Sequence, residues 1–441
     1  MKIEHLSFQL HTSKPFYQEL HDYLVNQMLS GYIQNGDRLP SIRQLAKDLH
    51  LSRTTIENAY ELLVSEGYVI SRSRSGYYCD LPYGLNKEQL IVQKTSKSAS
   101  EDQILYNFSS RYVDASDFDT KLWRRYMRIV MDRDQDIASY GERLGEWELR
   151  EALSDYLYRG RGVKCTADQL VIGAGIQPLL YMFCGRFVSQ VLKVGFIHPG
   201  FRQAIQVFQD CHHEIRLFHS LDEVDFTQID VLYLTPTELN LKMKRRLWLI
   251  EKLQRHHVFL IEDDLNGEMH YVTPSFPAIQ GLSGEENVIY LNSFSRLLLP
   301  SLRIACMVLP VALAQQLQMQ IKCYNQTASK IEQNVFNYYL REGHLERRIR
   351  KLRRQSLKKS QLMKEGIQNI LDVDQFHFFE TSQLFICPLD LPDDFYIRAS
   401  QHQIAFASQD PKALHMAFGG VDATKIAEAF QLIKKLALRQ V

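Results

Sequence analysis

The sequence predicts a multidomain chain: a small helical unit closed by a two-stranded hairpin, then a larger α/β unit ending in a smaller α+β lobe. Three observations predict it. The first 80 residues hold three helical patterns followed by two short strand-like runs. Residues 81–104 are polar, contain Pro, Gly and three serines, and lack strong periodicity, as a linker does. Beyond 105, short apolar runs alternate with helical stretches, which implies parallel strands covered on both faces.

The bulk numbers are permissive. The chain has 441 residues, enough for roughly three domains or two unequal ones. Net charge is +1, so no global basic field exists and any nucleic-acid surface must be local. Seven cysteines are scattered without a C-x-x-C pair. That argues for reduced, packed thiols and against a metal site or a disulfide framework. The start MKIEHLSFQL carries an acid and a histidine where a signal peptide needs an apolar core. No run of about 18 apolar residues exists, so a cytoplasmic protein without a membrane partner is expected.

Tyr17, Leu20, Leu24 and Met28 recur at helical spacing, and Gly31 stops that run. In SIRQLAKDL, Ile42, Leu45, Ala46 and Leu49 share a face. In LSRTTIENAYELLVSEG, Ile56, Ala59, Tyr60 and Leu63 do the same before Gly67. YVI, SRSRSG and YYC then read as strand, turn, strand. Three helices and a two-stranded wing make a winged helix-turn-helix over residues 12–80. Ser52 is a natural N-cap, which puts Arg53, Thr54 and Thr55 on the first turn of the third helix, the turn that meets base edges and phosphates. In the wing, Arg72 and Arg74 stand next to Gly76 and can lie along a phosphate backbone or in the minor groove. Residues 1–80 hold 8 Lys/Arg against 9 Asp/Glu, so the unit is not basic overall. Its cations at Arg43, Arg53, Arg72 and Arg74 nevertheless fall where DNA would be. The ordered string LPSIRQLA, SRTT, SEGYV and SRSG resembles the GntR-type regulators, which implies binding to operator half-sites in double-stranded DNA.

Residues 105–441 carry four separate signals. LVIGAGIQPLLYMF reads as strand, glycine turn and helix, so backbone N–H groups of Gly175, Ile176 and Gln177 can face a phosphate. HVFLIEDD puts Asp263 at the carboxyl end of a strand, where open α/β sheets bind ligands. FIHPGF offers Phe201 as a stacking face. SFSRLLLPSLR gathers Ser293, Ser295, Arg296 and Arg303. Each signal alone has an ordinary structural explanation: a plain βα turn, a solvated acid, a core aromatic. Their order and spacing resemble the fold-type-I aminotransferases. Joined to the first unit, they resemble the MocR branch of the GntR regulators across nearly the whole chain. The resemblance rests on DYLYRGRGV, SYGERLGEWELREAL, IEDD, PAIQGL, VIYLNSFSRLLLPSLRIACMVLP and REGHLERRIRKLRR.

That resemblance implies an α/β fold-type-I aminotransferase-like domain (105–441) with its small lobe at about 331–441, and a head-to-tail homodimer. It also implies a pyridoxal phosphate site. Gly175, Ile176, Gln177, Ser293, Ser295 and Arg303 would hold the phosphate. Asp263 would face the pyridine nitrogen, Phe201 would stack, and Tyr140 would reach the phosphate of the partner subunit. This chain departs from the pattern on the reactive side. The family lysine is Arg296, whose guanidinium stays protonated and cannot form an internal aldimine. The tyrosine of E-D-D-Y is Leu265, E-D-P-x-Y is IHPGF, and the T-P-S-H-Q-x-P-T-G loop is shortened to TPTELNLK. L-R-L-G-F is LHMAF, so His415 replaces the arginine that grips a substrate carboxylate.

Three regulator readings stay open: pyridoxal phosphate held noncovalently, a pocket for another small anionic effector with Arg296 and His415 as ligands, or a scaffold that only dimerises. The alternative from another class is a pyridoxal-phosphate-dependent aminotransferase with an accessory DNA-binding domain, which the loss of the proton-shuttling lysine opposes. Residues 341–359 hold 9 Lys/Arg against 2 acids. They read first as a solvated helix face, and second as an auxiliary contact to bent DNA.

Overall fold

The computed structural model describes residues 15–73, 75–81, 104–109, 113, 118–133, 137–187, 190–197, 201–284 and 287–437. The chain divides into two compact units, Met1–Glu101 and Asp102–Val441.

In the first unit, α1 (Phe16–Leu29), α2 (Ile42–Asp48) and α3 (Arg53–Ser65) precede β1 (Val69–Arg72) and β2 (Gly76–Cys79). The helical apolar positions meet in one core: Leu20, Leu24, Met28, Ile56, Ala59, Tyr60 and Leu63 are fully buried. Burial of each aliphatic side chain contributes about 1.5–3 kcal/mol, enough to hold so small a unit together. The Tyr60 hydroxyl donates to the Pro40 carbonyl at 2.9 Å, which fixes the loop leading into α2. Strands β1 and β2 pair antiparallel, Val69 opposite Cys79 and Arg72 opposite Gly76.

The second unit opens with β3 (Tyr106–Phe108), α4 (Thr120–Met131) and α5 (Trp147–Arg161). Then come β4 (Leu170–Gly173), α6 (Ile176–Phe187), β5 (Lys193–Ile197), α7 (Arg202–Asp210) and β6 (Glu214–Phe218). They are followed by β7 (Val231–Leu234), α8 (Met243–His256), β8 (Phe259–Asp263), α9 (Ile279–Ser283), β9 (Val288–Ser293) and β10 (Ala305–Val308). Strands β4 to β10 form one seven-stranded sheet in the order β4-β10-β9-β8-β7-β5-β6. The alternating apolar runs imply parallel strands, and five neighbouring strands, β9, β8, β7, β5 and β6, are parallel. The exception is β10, which runs antiparallel to both β4 and β9. Only residues 294–304 separate β9 from β10, too few for a helical crossover, so the chain turns back beside itself.

The small lobe follows α10 (Val311–Gln320), α11 (Lys330–Arg341) and α12 (His344–Glu365). It contains β11 (His377–Phe379), β12 (Leu384–Pro388), α13 (Phe395–Gln401), β13 (Ile404–Phe406), β14 (Ser408–Asp410), β15 (Ala413–Ala417) and α14 (Ile426–Ala437). Its sheet has the order β11-β12-β15-β14. Strand β3, nearly 300 residues earlier, pairs in parallel with β13, so this lobe is not contiguous in sequence. Among the described residues, no helix is long and apolar enough to cross a membrane.

Candidate ligand and DNA sites

In the first unit the Ser52 side chain caps α3, accepting from the Thr55 amide at 3.1 Å. The Ser52 and Thr55 hydroxyls also meet each other at 2.7 Å. These two residues therefore set the helix end, and Arg53 and Thr54 stand exposed beside it. Arg43 on α2 is exposed as well. In the wing, Arg72 lies over the Tyr78 ring at 4.7 Å, and Gly76 has φ +110°, a conformation that favours glycine. Arg74 lies outside the described residues. Sequence reasoning missed Arg38: its side chain packs 3.4 Å from where a Gly76 Cβ would stand, which adds an exposed cation at the wing. The G-D-R-L-P turn before α2 was the available signal.

In the second unit the sheet register assembles the anion side. Ala305 is opposite Gly173 on one side and Ser293 on the other. The ends of β4 and β9 and the start of β10 therefore lie side by side. Gly175 follows β4 with φ +103°, and α6 begins at Ile176. The first-turn amides of a helix lack intrahelical acceptors, so Ile176 and Gln177 present donors here. Arg303, itself at φ +51°, donates to the Ala174 carbonyl at 3.1 Å. Its guanidinium sits 2.5 Å from where a Gly175 Cβ would be, and the Gly175 φ of +103° is one that favours glycine. Ser293 Oγ and Ser295 Oγ are 3.2 Å apart. The structure thus brings Gly175, Ile176, Gln177, Ser293, Ser295 and Arg303 to one sheet end.

Asp263 is the last residue of β8 and is buried. Tyr233 donates to its Oδ2 at 2.6 Å, while Oδ1 is buried with no hydrogen-bond partner among the described residues. Burial pushes this carboxyl up to about 7, the Tyr233 bond opposes the shift, and Glu238 and Asp264 add to it. A buried acceptor without a donor fits a ring N–H, and Phe201 lies half-buried near it, its ring 6.5 Å from Tyr233 and nearly parallel. Residues 198–200, which precede Phe201, lie outside the described residues.

The I-E-D-D string resolves by strand alternation. Glu262 and Asp264 take the face opposite Asp263. Arg161 grips Asp264 with two bonds, Nε to Oδ2 at 2.5 Å and Nη2 to Oδ1 at 3.0 Å. Tyr290 adds a third at 2.8 Å. Burial alone would raise the Asp264 carboxyl, but Arg161 outweighs it and holds the group below the usual range. Glu262 accepts the Ile279 and Gln280 amides at 2.8 and 2.9 Å. Sequence reasoning missed Tyr233 and Arg161. A tyrosine inside the apolar run DVLYLTP was a readable signal; nothing local marks Arg161, whose partner lies 103 residues away.

Arg296 is half-buried, and its Nη1 donates to the Ser382 carbonyl at 3.2 Å. Ser382 in turn donates to Glu238 of the shortened TPTELN loop at 2.9 Å. Burial lowers the guanidinium's pKa and Glu238 opposes that. Arg296 therefore joins the sheet end to the small lobe. His415 sits on β15, 3.5 Å from the Asp410 carboxylate. Tyr140 is 97% exposed on its own chain. At the position of the missing tyrosine, Leu265 offers only its carbonyl, which accepts from Thr237 at 3.1 Å.

Comparison with known proteins matches both units to known families. Residues 16–79 match the bacterial regulatory proteins, gntR family, and residues 114–409 match aminotransferase class I and II. The HTH-type transcriptional regulator YdeL of Bacillus subtilis is 31% identical over 95% of this chain and 96% of its own length. The MocR regulatory protein of Rhizobium meliloti is 26% identical over 77% of this chain and 74% of its own. A kynurenine aminotransferase of Pyrococcus horikoshii shares the fold, with a TM-score of 0.64 at 21% identity, covering 79% of this chain and 97% of that one. The chain belongs to the gntR family of bacterial regulatory proteins, as a MocR-type regulator whose winged helix-turn-helix precedes a fold-type-I aminotransferase-like domain.

Proposed function

We propose that this transcription regulator binds operator DNA through Arg43, Arg53, Thr54, Arg72, Arg74 and Gly76, and that its large domain is a noncatalytic ligand-sensing dimer. The observation that carries the second half is Arg296. It stands where the family has its lysine, it is held against Ser382, and it has no free amine for covalent attachment.

The other side of the site fits pyridoxal phosphate. Gly175, Ile176, Gln177, Ser293, Ser295 and Arg303 would hold the phosphate with charge-assisted bonds. The open Oδ1 of Asp263 would accept from the protonated ring nitrogen, Phe201 would cover the ring, and Tyr140 of a second subunit would complete the cradle. When bound in enzymes of this fold, the cofactor supplies an electron sink for amino-group chemistry. In this chain the residues that would move the proton and clamp a substrate carboxylate are replaced by Arg296 and His415. Reversible retention suits a sensor, because a ligand regulates only by favouring one arrangement of the dimer.

The test is direct. Pyridoxal phosphate added to the purified chain should give no aldimine absorption band beyond the absorption of the free aldehyde, and no amino donor should turn over. A borohydride-reducible adduct at residue 296, or measurable amino transfer, would favour the enzyme reading instead.

A further inference from the structure

We propose that α4 and α12 together form a second, sequence-independent contact surface for duplex DNA, separate from the winged helix-turn-helix. The 341–359 run divides in the structure. Arg348 is buried and donates to the Leu297 and Leu298 carbonyls at 2.5 and 3.1 Å. Arg353 donates to the Glu268 carbonyl at 2.7 Å, and Lys359 is buried. These cations belong to the fold. The remainder on α12 are Arg347, Arg350, Lys351, Arg354 and Lys358, all exposed. Their spacing of i, i+3, i+4, i+7 and i+11 puts them in one stripe, opposite the buried face that carries Leu345, Ile349, Ser356 and Met363. No acid interrupts the run from 347 to 358.

Helix α4 repeats the arrangement. Lys121, Arg124, Arg125 and Arg128 are exposed at i, i+3, i+4 and i+7, opposite buried Trp123, Tyr126 and Val130. The start of α12 approaches α4: the Tyr126 ring lies 6.0 Å from that of His344, and the charges of Arg125 and Arg347 both bear on the Tyr126 hydroxyl. Among the described residues, four acids near these helices lie beside the stripes and not within them. Glu342 takes the Tyr126 hydroxyl, Glu346 lies 3.8 Å from Arg159, and Asp119 and Asp132 cap the two ends of α4.

Two adjoining cationic stripes in a chain of net charge +1 are a strong local field, and their chemistry selects the partner. Six of the nine cations are arginine, whose fork matches phosphate oxygens. The stripe on α12 extends about 16 Å, comparable to a stretch of duplex bearing about ten phosphate charges. A membrane surface would also attract these charges, but interfacial helices present a broad apolar face beside the cations, and here that face is turned into the core.

The proposal rests on the chain being a DNA-binding regulator, and the experiment separates the two claims. The full-length protein and a variant carrying Arg350→Glu, Lys351→Glu and Arg354→Glu are titrated against two duplexes. One is a minimal site selected in vitro by the full chain; the other is a long duplex of unrelated sequence. The expected result is at least a roughly tenfold loss of affinity for the long duplex, with the salt slope falling by about 0.9 for each phosphate contact removed. Affinity for the minimal site should be nearly unchanged, and all three positions are exposed, so melting should be unaltered. Wild-type affinity and salt slope of the variant on the long duplex would overturn the proposal. So would a loss confined to vesicles of anionic phospholipid. Failure of the reader is a different result: it shows as Arg53→Ala leaving the minimal site unaffected.

Discussion

Asp263 and Glu262 both have carboxyls pushed up to about 7, chiefly by burial. The folded chain therefore keeps protons that the unfolded chain releases above about pH 4. Their contribution to stability is full below that pH and is lost as pH rises through about 7. Asp263→Asn keeps an acceptor for the Tyr233 hydroxyl and removes the charge. The variant should melt higher than the parent at pH 8 and show no gain at pH 4, as read by thermal unfolding. It should also bind pyridoxal phosphate more weakly, because the ring nitrogen loses its counter-charge. A site that trades stability for binding behaves this way; a purely structural carboxylate would not. Asp264 titrates in the opposite sense. Held below the usual range against burial by Arg161, it contributes stability that is lost as pH falls below about 4. Arg161→Met leaves that carboxylate buried with the Tyr290 bond but without its bidentate cation, so a loss of about 3–5 kcal/mol in denaturant unfolding is expected. A loss under about 1 kcal/mol would show that the network is not structural.

At the scale of elements, α3 has the clearest prediction. Arg53→Ala should weaken operator binding by about 1–3 kcal/mol in a gel-shift titration. Ser52→Ala should cost about 0.5–2 kcal/mol of stability, because the Thr55 amide loses its cap. Unchanged operator affinity in Arg53→Ala would move the reading surface away from this helix. The elements differ in how legible they were. The three helices and the wing were readable because their apolar positions repeat locally and their caps and glycine stops are local too. The place of Asp263 at the end of a strand was readable from the apolar run HVFLIEDD, while its role was read only from the family pattern. The antiparallel β10 was not readable. Its apolar composition is that of a buried strand in either direction, and only the turn at 294–304 sets its sense. The pairing of β3 with β13 and of Arg161 with Asp264 depends on residues far apart in sequence, and no periodicity records that. Arg296 and His415 stood out only against the family pattern; their actual neighbours, Ser382 and Asp410, emerged from the fold.

At the scale of the molecule, the chain combines a GntR-type winged helix-turn-helix with an aminotransferase-like domain, which we propose keeps a phosphate cradle and has lost the reactive side. The proposed dimer would carry two readers and so two half-sites at a spacing set by the dimer, and inserting half a helical turn between half-sites should then reduce operator affinity. The most direct test of the central claim is native mass spectrometry of the purified chain with pyridoxal phosphate, before and after borohydride treatment and denaturation. The expected result is a dimer whose mass includes the cofactor, with that increment lost on denaturation even after borohydride. A monomer without the cofactor, or an increment that survives reduction and denaturation, would contradict a noncovalent, dimeric ligand sensor.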